Sequence, residues 1–546
     1  MSEKIMTSKD FEQYIGNRSA SIKFDKLTKE IESEIIAKAT EKANKILSAP
    51  SISPDTIKGN CFYMSNDGCD KNDGRSPDTP WKTINRLHLA QRDGTVREGD
   101  GVFFKRGSIW DSSFHTRYSG DYTIMFRGGV TYSAYGEGPK PLFRNCIVAS
   151  DPSDWEETIF SNIWRYRGNV GNRYNDIGNI VCDNGKAYGI KICPSDPCSP
   201  WKEGNRTVNS GMVTNGMGEW FHSGNTLCTT PSQAMHNNLE FLHDPVDGIL
   251  YLYFDKGNPA EYFSEIILSK RGHITRCSDS TNVIIDNIAV KFGGSHGITS
   301  DDCKSFTVQN CIIGWIGGSL QGDEPGSTVR YGNAVENWGT SDGQYIRDCI
   351  VYQCYDAGLT SQYAGWDPEN PIRINNVEYT GNVMAYSNSP LELWNSDGVF
   401  NTKMTDNYMF YSGYHFGHQR PCKNGSFGCL GGRSTGQLFK NTVMSNNVFM
   451  YTSSFAHYTK CIAYEGQEKG ITTSNNTYVL GTSKFYVKGS DVPFAYSNNE
   501  GLYQFTKETM EFLSAFGVEK DSQFYYYEGC LFPEEEDGVY CYVMPN

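Results

Sequence analysis

Three carboxylates in the middle of the chain lie in sparsely charged stretches that also contain tryptophan, tyrosine or glycine. They are Glu336 in RYGNAVENWG, Asp356 in CYDAGLTSQ and Glu392 in SPLELWNS. If each stretch is a β-strand, the alternation of side chains buries its apolar residues and turns the carboxylate outward. Carboxylates on adjacent or next-adjacent strands would lie about 5 or 10 Å apart, which brackets the separations of about 5–9.5 Å that glycosidases use. This spacing predicts acid–base chemistry on a glycosidic bond.

A fourth stretch, GYHFGHQRP, extends the pattern with His415, His418 and Arg420. The offsets between Glu336, Asp356, Glu392 and His415 are 20, 36 and 23 residues. A loop formed by SQYAGWDPENP would absorb the longer middle step, so the four side chains are predicted to form one column. His415, His418 and Arg420 are predicted to bind substrate hydroxyls or a carboxylate.

The roles follow from crowding, because neighbouring carboxylates push one another's pKa apart and give an acid beside an ionised base. Asp356 is predicted to be the nucleophile or general base, and Glu392 the general acid, with Glu336 as the alternate. Two tryptophans in the same stretches offer flat faces for sugar rings. The predicted substrate-binding residues are Trp338, Trp394, Gln362 and Tyr331 with the His415, His418 and Arg420 group. A solvated surface carboxylate, or a tryptophan that only covers the wall, is the alternative at each position.

A repeated unit supplies the elements that would position these residues. An Asn or Asp followed by an apolar stretch recurs at 287, 310, 348, 382, 407, 447 and 476, with spacings of 23, 38, 34, 25, 40 and 29 residues. A period in the low twenties with variable insertions is typical of a right-handed parallel β-helix. A β-propeller would need evenly spaced blades of about 40 residues. The sequence therefore predicts an all-β fold of the β-helix type.

Composition supports a turn-rich β protein. The 546 residues include 56 Gly and 63 Phe and Tyr, whereas only 21% are charged and the mean hydropathy is −0.52. Aromatic content argues against disorder, and a net charge of −14 argues against nucleic-acid or anionic-membrane partners. The 17 cysteines are odd in number and irregularly spaced. Cys311 and Cys349 share one phase of the repeat, which predicts buried thiols.

Three segments are expected along the chain. Residues 1–60 form a helical cap, with a helix over 24–48 ended by Pro50. Residues 61–500 form the β-helix, with β-hairpins inserted over 150–275. Residues 501–546 form a C-terminal helix, near 506–516, and a tail.

Residues 61–145 resemble the first coils of carbohydrate-active right-handed β-helix proteins, both hydrolases and lyases. The resemblance is carried by FYMSNDGCDKNDGRSPDTPWKTINRL, EGDGVFFKRGSIW and YSAYGEGPKPLF. Residues 330–421 resemble uncharacterised bacterial β-helix proteins grouped with glycoside hydrolases. The resemblance implies the β-helix fold and a carbohydrate substrate, but it does not separate the reaction types.

The leading functional hypothesis is a glycoside hydrolase acting on an oligo- or polysaccharide. The alternatives are a lyase or epimerase acting on uronic acids, which would use Arg330, Arg420, His415 and His418, and a non-catalytic carbohydrate-binding β-helix. No cofactor is expected, with a structural or active-site Ca²⁺ as the alternative. The sequence makes no prediction of the oligomeric state. The chain has no run of about 18 apolar residues and no leader-like N-terminus, so it is expected to be cytoplasmic, or secreted if a leader has been removed.

Two further motifs have ordinary interpretations. Residues 293–297 read GGSHG and match G-x-S-x-G. A nucleophile elbow needs a helix after the serine, and a β-repeat follows here, so we do not expect a catalytic serine. Asp301 and Asp302 are interpreted as a turn pair, with a calcium or sugar site as the alternative.

Overall fold

The structure is a computed structural model, and it describes residues 23–527 with gaps. The gaps are 112–121, 172–175, 193–203, 209–212, 215–216, 218–219, 222–223, 229, 245–246, 322–328, 340, 363–372, 395–397, 420–425, 432–437, 453–454, 460–470, 482–485, 489–501 and 505–518. The predicted helix at 506–516 lies outside the described residues.

Most of the described chain forms three long ladders of parallel strands. Ladder 1 contains Cys61–Met64, Gly101–Lys105, Thr131–Tyr135, Thr281–Asp286, Lys304–Gln309, Ser341–Arg347, Arg373–Thr380, Gly398–Phe400, Lys403–Thr405, Leu438–Lys440, Thr442–Ser445 and Ile471–Ser474. Ladder 2 contains Ile109–Trp110, Leu142–Val148, Ala289–Gly293, Ile312–Ile316, the first parts of Ile350–Gln362 and Val383–Trp394, Tyr408–Ser412, Val448–Thr452, Thr477–Gly481, Gln523–Tyr527 and Lys23–Lys26.

Ladder 3 contains Ile124–Met125, Thr275–Ser278, Ile298–Asp301, Val335–Trp338, the second parts of Ile350–Gln362 and Val383–Trp394, Ser426–Gly431, Phe455–Thr459 and Tyr486–Lys488, with Leu502–Gln504 antiparallel at its end. From residue 281 to 488 the chain visits ladders 1, 2 and 3 in that order and then repeats the cycle. The all-β class predicted from the sequence is confirmed, with parallel sheets as its main element.

The predicted turn residues form a ladder of their own. The backbone N–H of Asn382 donates to Asn407 Oδ1 at 3.0 Å, that of Asn407 to Asn447 Oδ1 at 3.1 Å, and that of Asn447 to Asn476 Oδ1 at 2.9 Å. Each asparagine follows a residue with positive φ, a conformation that glycine, asparagine and aspartate adopt at low cost. The recurring Asn or Asp signal therefore marks one corner of the repeat.

The interior between the ladders is apolar, and the predicted alternation is confirmed. Val335, Leu359 and Leu391 belong to one continuous buried cluster. Cys311 and Cys349 are buried in the same cluster as free thiols on neighbouring strands, as their common phase predicts.

The helix Lys29–Leu47, the longest among the described residues, covers ladder 2. The Thr28 side chain accepts from the N–H of Ile31 at its start, an N-cap contact. Its buried residues, including Ile35, Ala39 and Ile46, pack against the outer side of the ladder. The prediction of a helix from residue 24 is wrong at its first turn, because Lys23–Lys26 pairs in parallel with Gln523–Tyr527.

Residues 150–275, where the sequence predicts β-hairpins, contain mostly antiparallel strand pairs, with one parallel pair between Ile190–Lys191 and Glu240–His243. A five-stranded sheet contains Trp155–Glu157, Ile163–Tyr166, Ile190–Lys191, Glu240–His243 and Leu250–Tyr253. Ile266–Ser269, Asn179–Cys182 and Ala187–Tyr188 extend from Leu142–Val148, and two separate hairpins pair Gly204–Val208 with Gly224–Cys228 and Val213–Thr214 with Trp220–Phe221.

The other helices in the described part of the chain are short. They are Ile84–Arg92, Pro231–Ala234 and Pro259–Tyr262, with 3-10 turns at Pro54–Thr56, Pro152–Asp154, Asp183–Gly185 and His415–His418. Within the described part of the chain, no helix is both long enough and apolar enough to cross a membrane. The segment after Ser295 is the strand Ile298–Asp301, so the G-x-S-x-G match is not a nucleophile elbow.

Candidate active site

Ladder 3 presents two parallel columns of side chains opposite its apolar face. The strand register defines a carboxylate column of Arg276, Thr299, Glu336, Thr360 and Glu392. Two residues further along each strand lies a tryptophan column of Ser278, Asp301, Trp338, Gln362 and Trp394. Because side chains two apart share one face of a strand, the two columns line the same surface.

Glu336 and Glu392 are separated by one intervening strand, which contributes Thr360. Two strand spacings place their Cα atoms about 9.6 Å apart. Glu336 is 7% exposed and Glu392 is 5% exposed, whereas Trp338 and Trp394 are partly exposed. The surface therefore has a nearly dry line of carboxylates beside a more accessible line of indole rings.

Glu336 and Glu392 each accept a hydrogen bond from a side chain on a neighbouring strand of ladder 3. Gln362 Nε2 donates to Glu336 Oε1 at 3.4 Å, and His296 Nε2 contacts Glu336 Oε2. Thr360 Oγ1 donates to Glu392 Oε1 at 3.0 Å. Hydrogen bonds of this kind orient a carboxylate without cancelling its charge, which suits a group that must exchange a proton.

Polar side chains also stiffen the wall behind the columns. Ser300 Oγ donates to Asn337 Oδ1 at 2.6 Å, Asn337 Nδ2 donates to Ser361 Oγ at 3.2 Å, and Ser361 Oγ lies 2.7 Å from the hydroxyl of Tyr379. Ser300, Asn337 and Ser361 face the interior on three successive strands of ladder 3, Tyr379 lies on ladder 1, and all four are buried. A satisfied buried network fixes the positions of the outward residues on either side of it.

Asp301 is a carboxylate of this surface that the sequence interpretation assigned to a turn pair. It lies opposite Trp338, within 3.2 Å of both Arg276 Nη2 and Ser278 Oγ. Burial raises the pKa of Asp301, the charge of Glu336 adds to the rise, and Arg276 and Ser278 oppose it. Its phase in the repeat, one strand before Trp338, is the signal that could have identified it.

The predicted column is wrong for Asp356. Strand register places Thr360, not Asp356, between Glu336 and Glu392. Asp356 lies four residues earlier, at the corner between ladders 2 and 3, where its N–H donates to Gly332 O at 3.1 Å. The cause is a register shift between Cys354 and Ala357, which the outward alternation alone does not reveal.

The predicted column is also wrong for His415. Its Nδ1 lies 2.9 Å from the hydroxyl of Tyr188, and its ring packs on Tyr386 at 4.7 Å between centroids. Burial lowers the pKa of His415 to about 3. The strand that follows Glu392 in ladder 3 instead pairs it with Cys429. His415 therefore belongs to the packing between ladder 2 and the inserted strands.

Three other predicted residues, His418, Arg420 and Arg330, are not among those that the described structure brings to the columns. The backbone of His418 lies in the turn His415–His418, but its side chain lies outside the described residues, as does the whole of Arg420. Arg330, a candidate for lyase chemistry, is buried against Asp176, with Nη1 2.9 Å from Oδ2. That ion pair ties it to the inserted strands rather than to the carboxylate column.

Four predicted residues are brought together as expected. Trp338, Gln362 and Trp394 lie on consecutive strands of the tryptophan column. Tyr331 lies beside Glu336 in space, because its ring packs edge-on against His296 at 4.8 Å between centroids. The aromatic and amide side chains thus flank the two glutamates.

The sequence interpretation missed His296 and His273. His296 lies in the GGSHG motif, directly after Ser295. Its Nδ1 accepts the backbone N–H of Asn333 at 3.0 Å, so the proton of the neutral ring is on Nε2, the atom that lies against Glu336 Oε2. Position 296 is two residues before a strand of ladder 3, and that repeat phase is the signal that was available.

Comparison with known proteins finds carbohydrate-active relatives. A lacto-N-biosidase of Bifidobacterium longum is 28% identical over 269 residues, covering 43% of this chain and 15% of that protein. The chain thus matches only a small part of that curated relative. No protein-family model matches the chain.

Among solved structures, a glycoside hydrolase aligns with 85% of this chain and 99% of its own at 10% identity and a TM-score of 0.38. A GH136 lacto-N-biosidase from Eubacterium ramulus aligns with 86% of this chain and 67% of its own at 12% identity and a TM-score of 0.36. XylC in complex with xylose aligns with 85% of this chain and 82% of its own at 11% identity and a TM-score of 0.34. Likenesses this weak carry no weight for fold or activity.

Proposed function

We propose that the protein is a glycoside hydrolase whose catalytic pair is Glu336 and Glu392 on ladder 3. The observation that carries the proposal is the shared column of two low-exposure glutamates beside two tryptophans. The partial sequence match to a lacto-N-biosidase supports it. That relative also favours hydrolysis over the lyase alternative, whose proposed residues Arg330 and His415 are buried elsewhere.

The scaffold we propose is a right-handed parallel β-helix. Support comes from the cyclic visits of the chain to three parallel ladders and from the asparagine ladder at one corner. The right hand is the one that parallel crossover connections adopt in nearly all proteins. On such a scaffold, a substrate groove runs across the strands, along the two columns.

The separation of the glutamates favours an inverting mechanism. Side chains of one column extend in the same direction, so we place the two carboxyl groups about as far apart as the Cα atoms, about 9.6 Å. That is near the upper end of the separation of about 6.5–9.5 Å with which inverting enzymes leave room for a water molecule beside the sugar. Glu336, which accepts from Gln362 at Oε1 and lies against His296 at Oε2, takes the role of general base that activates the water. Glu392 takes the role of general acid that protonates the leaving oxygen, and Asp301 is the alternate acid.

The tryptophan column gives the groove its affinity for sugars. Trp338 and Trp394 are two strands apart, with Gln362 between them. Their indole faces can cover the apolar faces of sugar rings, and the Gln362 amide can both donate to and accept from hydroxyls. An oligosaccharide is therefore the substrate class we propose.

The test is a panel of p-nitrophenyl glycosides of glucose, galactose, xylose and N-acetylglucosamine, in both anomers, together with neutral oligosaccharides. Wild type should release sugar from at least one member. Glu336→Gln and Glu392→Gln should each lose most of that activity while keeping the wild-type melting temperature within a few degrees. Full activity in both variants, or binding without turnover by wild type across the panel, would overturn the proposal.

A further inference from the structure

A stack of two histidines lies at the edge of the proposed groove. The rings of His273 and His296 are parallel, with an interplanar angle of 5° and centroids 5.1 Å apart. That distance is close to one strand spacing. Tyr331 packs edge-on against both rings, at 5.4 Å from His273 and 4.8 Å from His296. The stack is therefore held from one side by an aromatic ring.

The same backbone contact fixes both rings. His273 Nδ1 accepts the N–H of His296 at 3.3 Å, and His296 Nδ1 accepts the N–H of Asn333 at 3.0 Å. Asn333 continues the series, because its Oδ1 accepts the N–H of Ala357 at 3.0 Å. Each side chain thus caps the next strand at the corner where ladder 3 begins.

An Nδ1 that accepts a hydrogen bond leaves the proton of a neutral imidazole on Nε2. Burial holds the pKa of His273 well below its ordinary value, and nearby His296, Arg276 and Arg271 act in the same direction. His273 is therefore neutral, with an N–H at Nε2. Because the rings are parallel and anchored alike, the two Nε2 atoms point the same way, about one strand spacing apart.

The two N–H groups face different neighbours. His296 Nε2 meets Glu336, which lies on the next strand. One strand earlier, the position equivalent to Glu336 is occupied by Thr299. Thr299 is shorter than glutamate, and its hydroxyl donates back to Thr275 O at 2.9 Å. His273 is also partly exposed, whereas His296 is 5% exposed.

We propose that His273 binds substrate by donating its Nε2–H to an oxygen of the sugar unit that lies over Thr299. This sugar unit is the neighbour of the one that lies at Glu336, where the activated water attacks. The repeat gives the same N–H two uses. On one strand the Nε2–H of His296 lies against a carboxylate oxygen of Glu336. One strand earlier, the Nε2–H of His273 meets a sugar oxygen instead. The inference rests on the proposed function, since it assumes a glycan in the groove.

The structure supplies a matched pair of variants. Asparagine places its Oδ1 where histidine places Nδ1, and Asn333 already caps a strand in that way. His273→Asn should therefore keep the corner contact and lose only the Nε2–H. His296→Asn makes the same change one strand along, where the lost contact is with Glu336.

The experiment measures KM, kcat and melting temperature on the p-nitrophenyl glycoside that wild type cleaves fastest. His273→Asn should raise KM about 3- to 10-fold, as expected for one lost hydrogen bond, with little change in kcat or melting temperature. His296→Asn should instead lower kcat. His273→Gln should recover part of the affinity, because its amide reaches the ε position, but should melt earlier than His273→Asn.

A nitrogen-15 spectrum of wild type provides a readout that does not depend on turnover. Both histidines should appear as neutral Nε2–H tautomers, and adding the glycoside should shift the Nε2–H signal of His273 more than that of His296. An unchanged KM in His273→Asn, or an unmoved His273 signal, would overturn the inference while leaving hydrolysis intact. If wild type cleaves no glycoside in the panel, the proposed function is overturned, and the proposed role of His273, which depends on it, is overturned as well.

Discussion

The molecule buries carboxylates in two different ways. Asp176 is surrounded by cations, because Lys191 Nζ lies 2.8 Å and Arg330 Nη1 2.9 Å from its Oδ2. Glu336 and Glu392 are also nearly inaccessible, but Glu336 accepts from the amide of Gln362 and lies against the imidazole of His296, and Glu392 accepts from the hydroxyl of Thr360. The difference teaches that burial alone does not mark a functional acid. The chemical nature of the partners separates a structural charge from a reactive one.

The two settings also predict opposite responses to mutation. Burial alone would raise the pKa of Asp176, but Lys191, Arg330 and His243 hold it well below its usual range. Its charge therefore supports the fold. Glu336 instead accepts from an amide and lies against an imidazole, so removing its charge should affect the chemistry more than the fold.

The largest expected effect is the loss of activity in Glu336→Gln. Loss of a general base typically lowers the rate about 100- to 10,000-fold, and glutamine retains an oxygen for His296 and Gln362. Glu378→Gln is the control, because Glu378 forms an ion pair with Arg347 on ladder 1, away from both columns. Steady-state kinetics should show a large fall in kcat for Glu336→Gln alone. Equal activity of the two variants would remove the distinction between structural and reactive carboxylates.

Asp176→Asn should produce the next largest effect, on stability. Removing one partner of a buried ion pair costs about 3–5 kcal/mol, because Lys191 and Arg330 stay buried without their counter-charge. Chemical denaturation would measure the fall in the free energy of unfolding, and activity per folded molecule should change far less than in Glu336→Gln.

The pH dependence of Asp176 has a defined sign. Because its folded-state pKa is lowered, its contribution to stability is present above the ordinary carboxyl pKa of about 4 and is lost as the pH falls below that value. Wild type should therefore lose more stability than Asp176→Asn between pH 5 and pH 3, on top of losses common to both proteins. Parallel curves for the two proteins would contradict the assignment.

Asp301→Asn should give the smallest effect. The pKa of Asp301 is raised, so the folded state favours its protonated form, and stability falls as the pH rises through that pKa. Asparagine resembles the protonated acid. The melting temperature of Asp301→Asn relative to wild type should therefore rise by about 1 °C between pH 3.5 and pH 7. A relative fall would show that the Arg276 contact outweighs burial.

The sequence predicted the features that depend on periodicity. A repeated corner accounts for the Asn and Asp turns. A two-residue alternation accounts for the inward side chains of Val335 and Leu359, and for the placement of Glu336, Glu392 and the two tryptophans on one surface. The division of the chain into three domains stays a prediction.

Local irregularities account for the errors. Asp356 lies outside the column because the strand register shifts between Cys354 and Ala357, at a corner. The sequence alone does not show how many residues such a corner contains. His415 adopts a positive φ of 51° in a short 3-10 turn, so strand alternation did not apply to it. The histidine stack was missed because its residues lie before the strands, outside the alternating pattern.

The configuration of the first sugar released tests the central claim most directly. Proton NMR recorded during the first minutes of wild-type hydrolysis would show the anomer before it equilibrates. A pair of glutamates two strands apart predicts inversion of the anomeric centre. Retention would require carboxyl groups about 5–5.5 Å apart, and it would contradict the assignment of Glu336 and Glu392 as the catalytic pair.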